Sequence, residues 1–385
     1  MAPDLTGILR AGDGVILGQA CAEPLTLSEA LVAQRTAFPG VQLFLGVNYA
    51  GVIRPEHADH LKLSSYCGAG HNRALGDAGV LDIHPHPYSR LAPLIRAGRI
   101  PSDVVLLQVS PPNARGEYSM GIAVDYLLPA VECARAVIAE VNDRVPWTHT
   151  QRLFRREDFA LLVESSREPA AAPAARKGAA EAAMARRAAA FIPDGATLEF
   201  GLGALPDAVC GALQDRKSLR VHSGTVGDGV ADLMQRGAVT GVDCAMLIGT
   251  RRLFDAAQGN PGIRLRSTEY THDPRVLATL PGFVAINSAV EVDLTGQVNA
   301  EVAKGSYLGA VGGALDFIRA ATFSPGGVSL LLLPAARIVR ALSGPVSTPR
   351  SEAGVIITER GVADLRGCTL SERTRRMLRI SDLEK

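Results

Sequence analysis

The 385-residue sequence lacks the features of a membrane, secreted or nucleic-acid-binding protein. Its longest apolar run, residues 328–334, is far shorter than the ~20 residues that span a bilayer. With 40 Lys and Arg against 39 Asp and Glu, the chain has no field that attracts nucleic acid. The first residues show no basic segment followed by an apolar one. We therefore predict a cytoplasmic protein with no membrane or nucleic-acid partner.

Cysteine and metal-binding patterns are also sparse. The six cysteines include no C-x-x-C pair, which argues against a disulfide framework and a zinc knuckle, so we predict reduced core residues. The His84-Pro85-His86 sequence has no third ligand nearby, and we predict no metal site. Motifs of serine hydrolases, zinc peptidases, P-loop NTPases and classical dehydrogenases are all missing.

The length and the spacing of apolar segments predict two α/β domains. Residues 164–187 are rich in Pro, Ala and charge, as in a linker, and we place the domains at 1–170 and 171–385. Apolar runs such as 103–109 and 282–286 alternate with helical segments, which indicates mostly parallel sheets covered by helices.

The two halves repeat each other in their glycine and proline positions. Asp13 and Asp194, and likewise Pro24 and Pro206, are about 180 residues apart in similar surroundings, which suggests a duplication. If the halves are two similar α/β domains, the cleft at the carboxyl ends of their strands is the natural place for an active site.

The densest chemical region runs from 262 to 327. Glu269 lies in a polar segment just before a helix that we expect to start near Asp273 and Pro274. Residues 284–301 alternate like a hairpin around a turn at Thr295 and Gly296. The glycine-rich segment 309–317 then leads into a helix, and its backbone N–H groups could hold an anion or a developing oxyanion.

Several long segments resemble one known family. Residues 285–301 (AINSAVEVDLTGQVNAE), 312–317 (GGALDF), 108–116 (QVSPPNARG), 347–350 (STPR) and 358–367 (TERGVADLRG) are similar to segments of the acetyl-CoA hydrolase/transferase family, which includes acetate- and 4-hydroxybutyrate-type CoA-transferases. The similarity extends over nearly the whole chain. Residues 222–228 (HSGTVGD) depart from it, because they replace the usual His-Thr-Glu-like run.

The resemblance implies two tandem CoA-transferase-type domains and a reaction through a glutamyl-CoA thioester. It places the nucleophile at Glu269, and an ionised glutamate is chemically able to attack an acyl-CoA carbonyl. Val311, Gly312 and Gly313 are the predicted oxyanion donors. The predicted CoA-binding residues are Met246, Leu247, Ile248, Gly249 and Thr250. Coenzyme A would be a substrate, no cofactor would be bound permanently, and a homodimer is the default assembly.

Alternatives remain open at each of these positions. Glu269 could be a solvated carboxylate at a helix start, and Gly312 and Gly313 could form only a helix-entry turn. An acyl-CoA hydrolase would share every motif with a CoA-transferase, and a non-catalytic acyl-CoA-binding protein would keep the fold. The sequence leaves the acyl group and the acceptor acid undetermined.

Overall fold

The computed structural model describes residues 3–172 and 178–384. Contacts divide the chain into a first unit, Met1–Pro173 with Ala245–Tyr270, and a second unit, Ala174–Cys244 with Thr271–Lys385. The stretch Ala245–Tyr270, which includes Glu269, therefore groups with the first unit. Part of the candidate linker, residues 173–177, lies outside the described residues. The domain bounds 1–170 and 171–385 stay a prediction.

The first 165 residues alternate between strands and short helices. In order these are β1 (Gly14–Leu17), α1 (Leu25–Gln34), β2 (Val41–Leu45), β3 (Leu61–Ser65), α2 (Asn72–Asp77), β4 (Leu81–Ile83), α3 (Leu91–Arg96), β5 (Val104–Val109), α4 (Leu127–Cys133), β6 (Ala136–Asn142), β7 (His149–Thr150) and β8 (Leu161–Ser165).

The same alternation resumes after the candidate linker. The next elements are α5 (Ala179–Ala189), β9 (Thr197–Phe200), α6 (Ala204–Gly211), β10 (Leu219–Val226), α7 (Asp228–Gln235), β11 (Val239–Leu247), α8 (Arg251–Ala257), β12 (Ile263–Leu265) and α9 (Thr268–Thr271). The remaining elements are α10 (Pro274–Leu277), β13 (Phe283–Ser288), β14 (Glu291–Asp293), β15 (Val298–Asn299), β16 (Val302–Ala303), β17 (Ser306–Tyr307), α11 (Ala314–Phe323), β18 (Val328–Leu332), β19 (Ile338–Val339), β20 (Val355–Ile357), β21 (Val362–Asp364) and α12 (Leu370–Arg379).

The main sheets of the two units have similar strand orders. In the first unit the order is β4-β3-β2-β1-β5-β6-β8, with parallel pairing throughout. In the second unit strands follow as β21-β20-β18-β13-β9-β10-β11, and the pairs from β20 to β10 are parallel. Each sheet has its first strand, β1 or β9, in the middle. On one side of it lie β2, β3 and β4 in the first unit and β10 and β11 in the second, and the later strands lie on the other side. Such similar orders are what a duplication would produce. The predicted α/β class with mostly parallel sheets is confirmed.

Buried apolar strands form the interior of each unit. All residues of β5 and β18 are buried, as expected for parallel strands with both faces covered. These strands coincide with the apolar runs predicted at 103–109 and 328–334, and β13 covers the run predicted at 282–286. The hairpin predicted over 284–301 is present only at 291–299, where β14 pairs antiparallel with β15 around Gly296, whose φ is 96°. Its expected first half is β13, which pairs parallel with β9 and β18.

The cysteine prediction is only partly right. Cys21, Cys67, Cys210 and Cys244 are buried, as expected for core residues. Cys133 is exposed as the last residue of α4 and Cys368 is half-buried, because neither lies in a buried strand.

Among residues 3–172 and 178–384, every helix is too short or too polar to cross a membrane. The cytoplasmic location and the homodimer stay predictions.

Candidate active site

Glu269 belongs to the short helix α9, and residues of the first unit form hydrogen bonds with the beginning of this helix. The Thr268 amide donates to the carbonyl oxygen of Asp125 at 3.1 Å. The preceding residue, Ser267, forms a parallel bridge with Asp125, and its amide donates to the side chain of Gln151 at 3.1 Å. These bonds fix the backbone immediately before Glu269, so the position of its side chain is determined by segments that are distant in sequence.

A bidentate ion pair with Arg96 orients the Glu269 carboxylate. Arg96 Nε donates to Oε1 and Nη2 to Oε2, both at 2.8 Å. Arg96 Nη2 also contacts Glu132 at 2.6 Å. The Glu269 side chain is 39% exposed, and its hydrogen bonds with Arg96 lower its pKa below the ordinary value. Glu269 is therefore ionised at neutral pH, as a carboxylate nucleophile must be.

The same ion pair restricts what Glu269 can do. A guanidinium fork that bonds both oxygens occupies the lone pairs that point along its N–H groups. An attack on a carbonyl carbon needs one oxygen with a free lone pair. Each oxygen of Glu269 keeps a second lone pair, so the two Arg96 bonds weaken the nucleophile without blocking an attack.

The predicted oxyanion segment lies in the second unit, where a compact loop leads into α11. Gly309 lies so close to the chain that a Cβ there would overlap the carbonyl oxygen of Ala300. Gly312 has a φ of 57°, in the left-handed region that favours glycine. Gly313 is the residue before α11, and Val311 to Gly313 are partly exposed. The first N–H groups of a helix lack intrahelical acceptors, which suits the predicted role of this loop.

A buried histidine lies directly beside this loop. A Cβ on Gly313 would be 2.6 Å from His272 Nε2, and a Cβ on Gly224 would be 3.1 Å from the same atom. The imidazole contacts the Phe317 ring, with centroids 4.6 Å apart, and its Nδ1 lies 2.9 Å from Thr271 Oγ1. Burial lowers the pKa of His272 to about 3, so this ring is neutral near pH 7. Sequence reasoning missed this cluster.

Gly224 connects the cluster to the departure seen in the sequence. It is the third residue of the 222–228 run, at the position of the glutamate in the His-Thr-Glu-like pattern, and it lies near the carboxyl end of β10. A side chain at this position would point at His272 and Phe317. The chain thus has no side chain at the one position of this run that faces His272 and Phe317. The sequence did offer one signal for this cluster. The 222–228 run is altered at the end of a strand, in a chain that otherwise resembles the family.

The predicted CoA-binding segment lies where β11 ends and α8 begins. Met246 forms an antiparallel bridge with Ala123, and both Met246 and Leu247 are buried. Ile248 and Gly249 are partly exposed and Thr250 is exposed. Only the last three residues can offer side chain or backbone to a ligand at the surface, and CoA binding by the segment stays a prediction.

The histidines at 84 and 86 do not form part of a larger ligand group. Their ring centroids are 6.4 Å apart. Within the described ranges, no three His, Cys, Asp or Glu side chains lie close enough together to hold a metal ion. The absence of a metal from the reaction stays a prediction.

Glu199 and Asn287 form a buried pair at the ends of β9 and β13. Asn287 Nδ2 donates to Glu199 Oε2 at 2.7 Å, and the two side chains are 6% and 2% exposed respectively. Burial raises the pKa of Glu199 to about 8, so its carboxyl group is protonated at neutral pH. Asn287 therefore binds a strand neighbour, while Glu291 and Asp293 accept hydrogen bonds from their own hairpin and its surroundings.

We expect Glu199→Gln to change how stability depends on pH. A carboxyl whose folded pKa is raised stabilises the fold fully below its unfolded pKa near 4.5, and this contribution is lost as pH rises through about 8. Glutamine keeps an acceptor for Asn287 but does not titrate. Urea unfolding at pH 5 to 8 should show the wild type losing a few kcal/mol relative to the variant. A difference that is constant across this range would contradict the prediction.

Comparison with known proteins identifies the family. Residues 1–153 match the acetyl-CoA hydrolase/transferase N-terminal domain, and residues 249–384 match the corresponding C-terminal domain. The 4-hydroxybutyrate coenzyme A transferase of Clostridium kluyveri is 33% identical over 390 residues, which cover 95% of this chain and 90% of that protein. The chain belongs to the acetyl-CoA hydrolase/transferase family. It is an enzyme of the CoA-transferase class, as the resemblance implied.

Solved structures also share this fold. RipA from Yersinia pestis matches with a TM-score of 0.93 and 29% identity, covering 98% of this chain and 92% of that one. The 4-hydroxybutyrate CoA-transferase of Porphyromonas gingivalis matches with a TM-score of 0.81 and 29% identity over the same shares. An acetyl-CoA hydrolase from Kluyveromyces lactis is 27% identical over 58% of this chain and 47% of its own length. The similar proteins thus include both transferases and hydrolases.

Proposed function

We propose that this family member transfers CoA between a short-chain acyl-CoA and a carboxylic acid, through a glutamyl-CoA thioester on Glu269. The observation that supports this is the fixed, ionised and partly exposed carboxylate of Glu269. A carboxylate in this state can add to a thioester carbonyl without a separate base. The acyl group would be short, such as acetyl or butyryl, and the acceptor would be a small acid.

The reaction then consists of balanced carbonyl additions. A Glu269 oxygen attacks the acyl carbon, the C–S bond breaks, and the CoA thiolate leaves behind a mixed anhydride. The thiolate attacks the Glu269 carbonyl carbon and expels the acyl group as a carboxylate, so CoA is now bound to Glu269. An incoming carboxylate reverses both steps. Backbone N–H groups of Val311, Gly312 and Gly313 would donate to each oxyanion, and one well-placed donor stabilises such a state by about 3 kcal/mol. Residues 246–250 would bind CoA.

Arg96 and Glu132 have complementary parts in this scheme. Arg96 keeps Glu269 ionised and orients its two oxygens. Once Glu269 is acylated its negative charge is gone, and the guanidinium would otherwise lose its partner. Glu132, 2.6 Å from Arg96 Nη2, supplies a carboxylate that holds Arg96 during that step. We therefore propose Arg96 and Glu132 as positioning residues.

Trapping the thioester tests the proposal. The protein is incubated with acetyl-CoA, treated with borohydride and digested, and mass spectrometry then searches for a glutamate reduced to the alcohol. We expect reduction in the peptide that contains Glu269. Glu132→Gln is the matched control, because it alters the other partner of Arg96 and should leave the label in place. A reduced peptide from elsewhere, or none at all, would refute Glu269 as the site.

A hydrolase is the nearest alternative, in which water discharges the same thioester. It shares all the motifs, and the similarity to an acetyl-CoA hydrolase keeps it in consideration. Measuring CoA release from acetyl-CoA with and without an added acid separates the two. A transferase releases free CoA only at a trace rate and forms a new acyl-CoA when the acid is present. A hydrolase releases CoA at the same rate in both cases.

A second candidate, acyl-CoA binding without a covalent step, departs from the enzyme class that the comparisons give, and Gly224 is the observation that speaks for it. The site beside the loop has no carboxylate at this position, and the Glu269 carboxylate is held on both oxygens by Arg96. The double variant Gly224→Glu, His272→Ala introduces a carboxylate and removes the ring that it would meet. If thioester label appears at position 224 in this variant and none appears in the wild type, the second candidate is supported. Label at Glu269 in both proteins rejects it.

A further inference from the structure

The His272 imidazole fills the space beside the glycine loop. Its Nε2 lies 2.6 Å from where a Cβ on Gly313 would be and 3.1 Å from where one on Gly224 would be. Real Cβ atoms do not approach other atoms as closely as the first of these distances. The ring therefore occupies room that these two residues leave open only because they are glycines.

The ring is also held firmly in this place. Thr271 Oγ1 lies 2.9 Å from Nδ1, and the Phe317 ring packs against the imidazole with centroids 4.6 Å apart. Phe317 is itself buried and contacts Phe283, with centroids 6.2 Å apart. His272 is 1% exposed, whereas Gly312 and Gly313 are partly exposed. The accessible loop thus has a rigid, buried imidazole beneath it.

From this geometry we infer that His272 sets the maximum length of the acyl chain. The inference rests on the proposed function, in which the loop of Val311, Gly312 and Gly313 binds the thioester carbonyl. An acyl chain that extends from that carbonyl past Gly224 meets the imidazole, which packs against Phe317. Short chains end before this contact. Longer chains collide with the ring, so His272 is a specificity-determining residue for short-chain acyl-CoA.

Two variants at position 272 test this inference. His272→Ala opens the space beneath the loop, while His272→Phe fills it with a ring of similar size. The measurement is kcat/KM for acetyl-, butyryl- and hexanoyl-CoA with one acceptor acid. We expect His272→Ala to raise the hexanoyl-to-acetyl ratio about tenfold or more, since each methylene in an apolar pocket changes discrimination by about tenfold or more. His272→Phe should keep the ratio within about twofold of the wild type. Equal ratios in all three proteins would overturn the inference.

A purely structural role for His272 gives a different result. Loss of packing would lower activity on all three substrates by the same factor and leave their ratio unchanged. If His272→Ala does not fold, Phe317→Leu is the second variant, because it removes part of the wall that holds the imidazole in place. It should raise the same ratio by a smaller factor, and an unchanged ratio would again overturn the inference.

The inference and the proposed function can fail separately. The dissociation constants of acetyl-CoA and hexanoyl-CoA, measured by calorimetry, give the same ratio without turnover. If the wild type transfers no CoA but His272→Ala still tightens hexanoyl-CoA selectively, the proposed function fails and the inference stands. If the wild type transfers CoA and neither ratio changes, only the inference fails. If neither acyl-CoA binds, both are wrong.

Discussion

Glu269→Gln is expected to lower kcat for CoA transfer at least about 10³-fold, because the amide is neutral and cannot form the acyl anhydride or the thioester. The substitution keeps the size of the side chain and one acceptor oxygen for Arg96. The fold should therefore survive, since the side chain is 39% exposed and its ion pair lies at the surface. The measurement is the steady-state rate of acyl-CoA formation. The thermal unfolding midpoint checks that the variant is folded.

Glu132→Gln is the control for this prediction. It changes the charge around Arg96 but leaves the proposed nucleophile intact, so we expect kcat to fall by no more than about tenfold.

Arg96→Gln should change how kcat depends on pH, because Arg96 lowers the pKa of Glu269. Its removal should move the acidic limb of the profile upward, toward the ordinary glutamate pKa of 4.5.

The opposite result for Glu269→Gln would be equally informative. A variant that retains more than a tenth of the wild-type kcat cannot have lost its nucleophile. Glu269 would then be a surface carboxylate paired with Arg96, and the reaction would have to be sought beside Gly224 and His272. The Gly224→Glu, His272→Ala variant described above addresses that case directly.

Gly313→Ala is expected to lower kcat about 10²-fold or more. The new methyl group would lie 2.6 Å from His272 Nε2 and 3.2 Å from Phe317, so either the loop or the ring must shift. A displacement of about 1 Å in groups that position a reacting carbonyl costs about 10²-fold, and loss of one oxyanion donor costs about 10²- to 10³-fold. Binding of acyl-CoA should change less than kcat, because the loop acts mainly on the tetrahedral state.

Gly211→Ala is the matched control for the loop variant. A Cβ at Gly211, the last residue of α6, would meet no atom within 4 Å, and its φ is not in the left-handed region. Its activity should equal that of the wild type. Adding His272→Ala to Gly313→Ala removes the ring that the methyl meets and should restore part of kcat. Full activity of Gly313→Ala alone would remove the loop from the proposed mechanism.

Local patterns were enough to predict the elements of the fold. Strands β5, β13 and β18 follow from short apolar runs bounded by polar residues, Gly or Pro, because both faces of a central parallel strand are covered. Asp273 and Pro274 predicted the start of α10, since Pro fits the first turn and the Asp273 side chain accepts from the Arg275 amide. Long contiguous segments carried the family resemblance, which the comparisons confirmed.

The contacts that decide the chemistry were not visible in any local pattern. Arg96 binds Glu269 across 173 positions of sequence, and Asn287 binds Glu199 across 88. His272 meets Gly224 and Gly313 only because β10, the segment before α10 and the start of α11 converge in the second unit. The sequence alone determined the strands, the turns and the family, because these depend on neighbouring residues. Tertiary structure decided which charges are paired, which acid is protonated and which glycines face a ring, because burial and distance arise only when remote segments pack together.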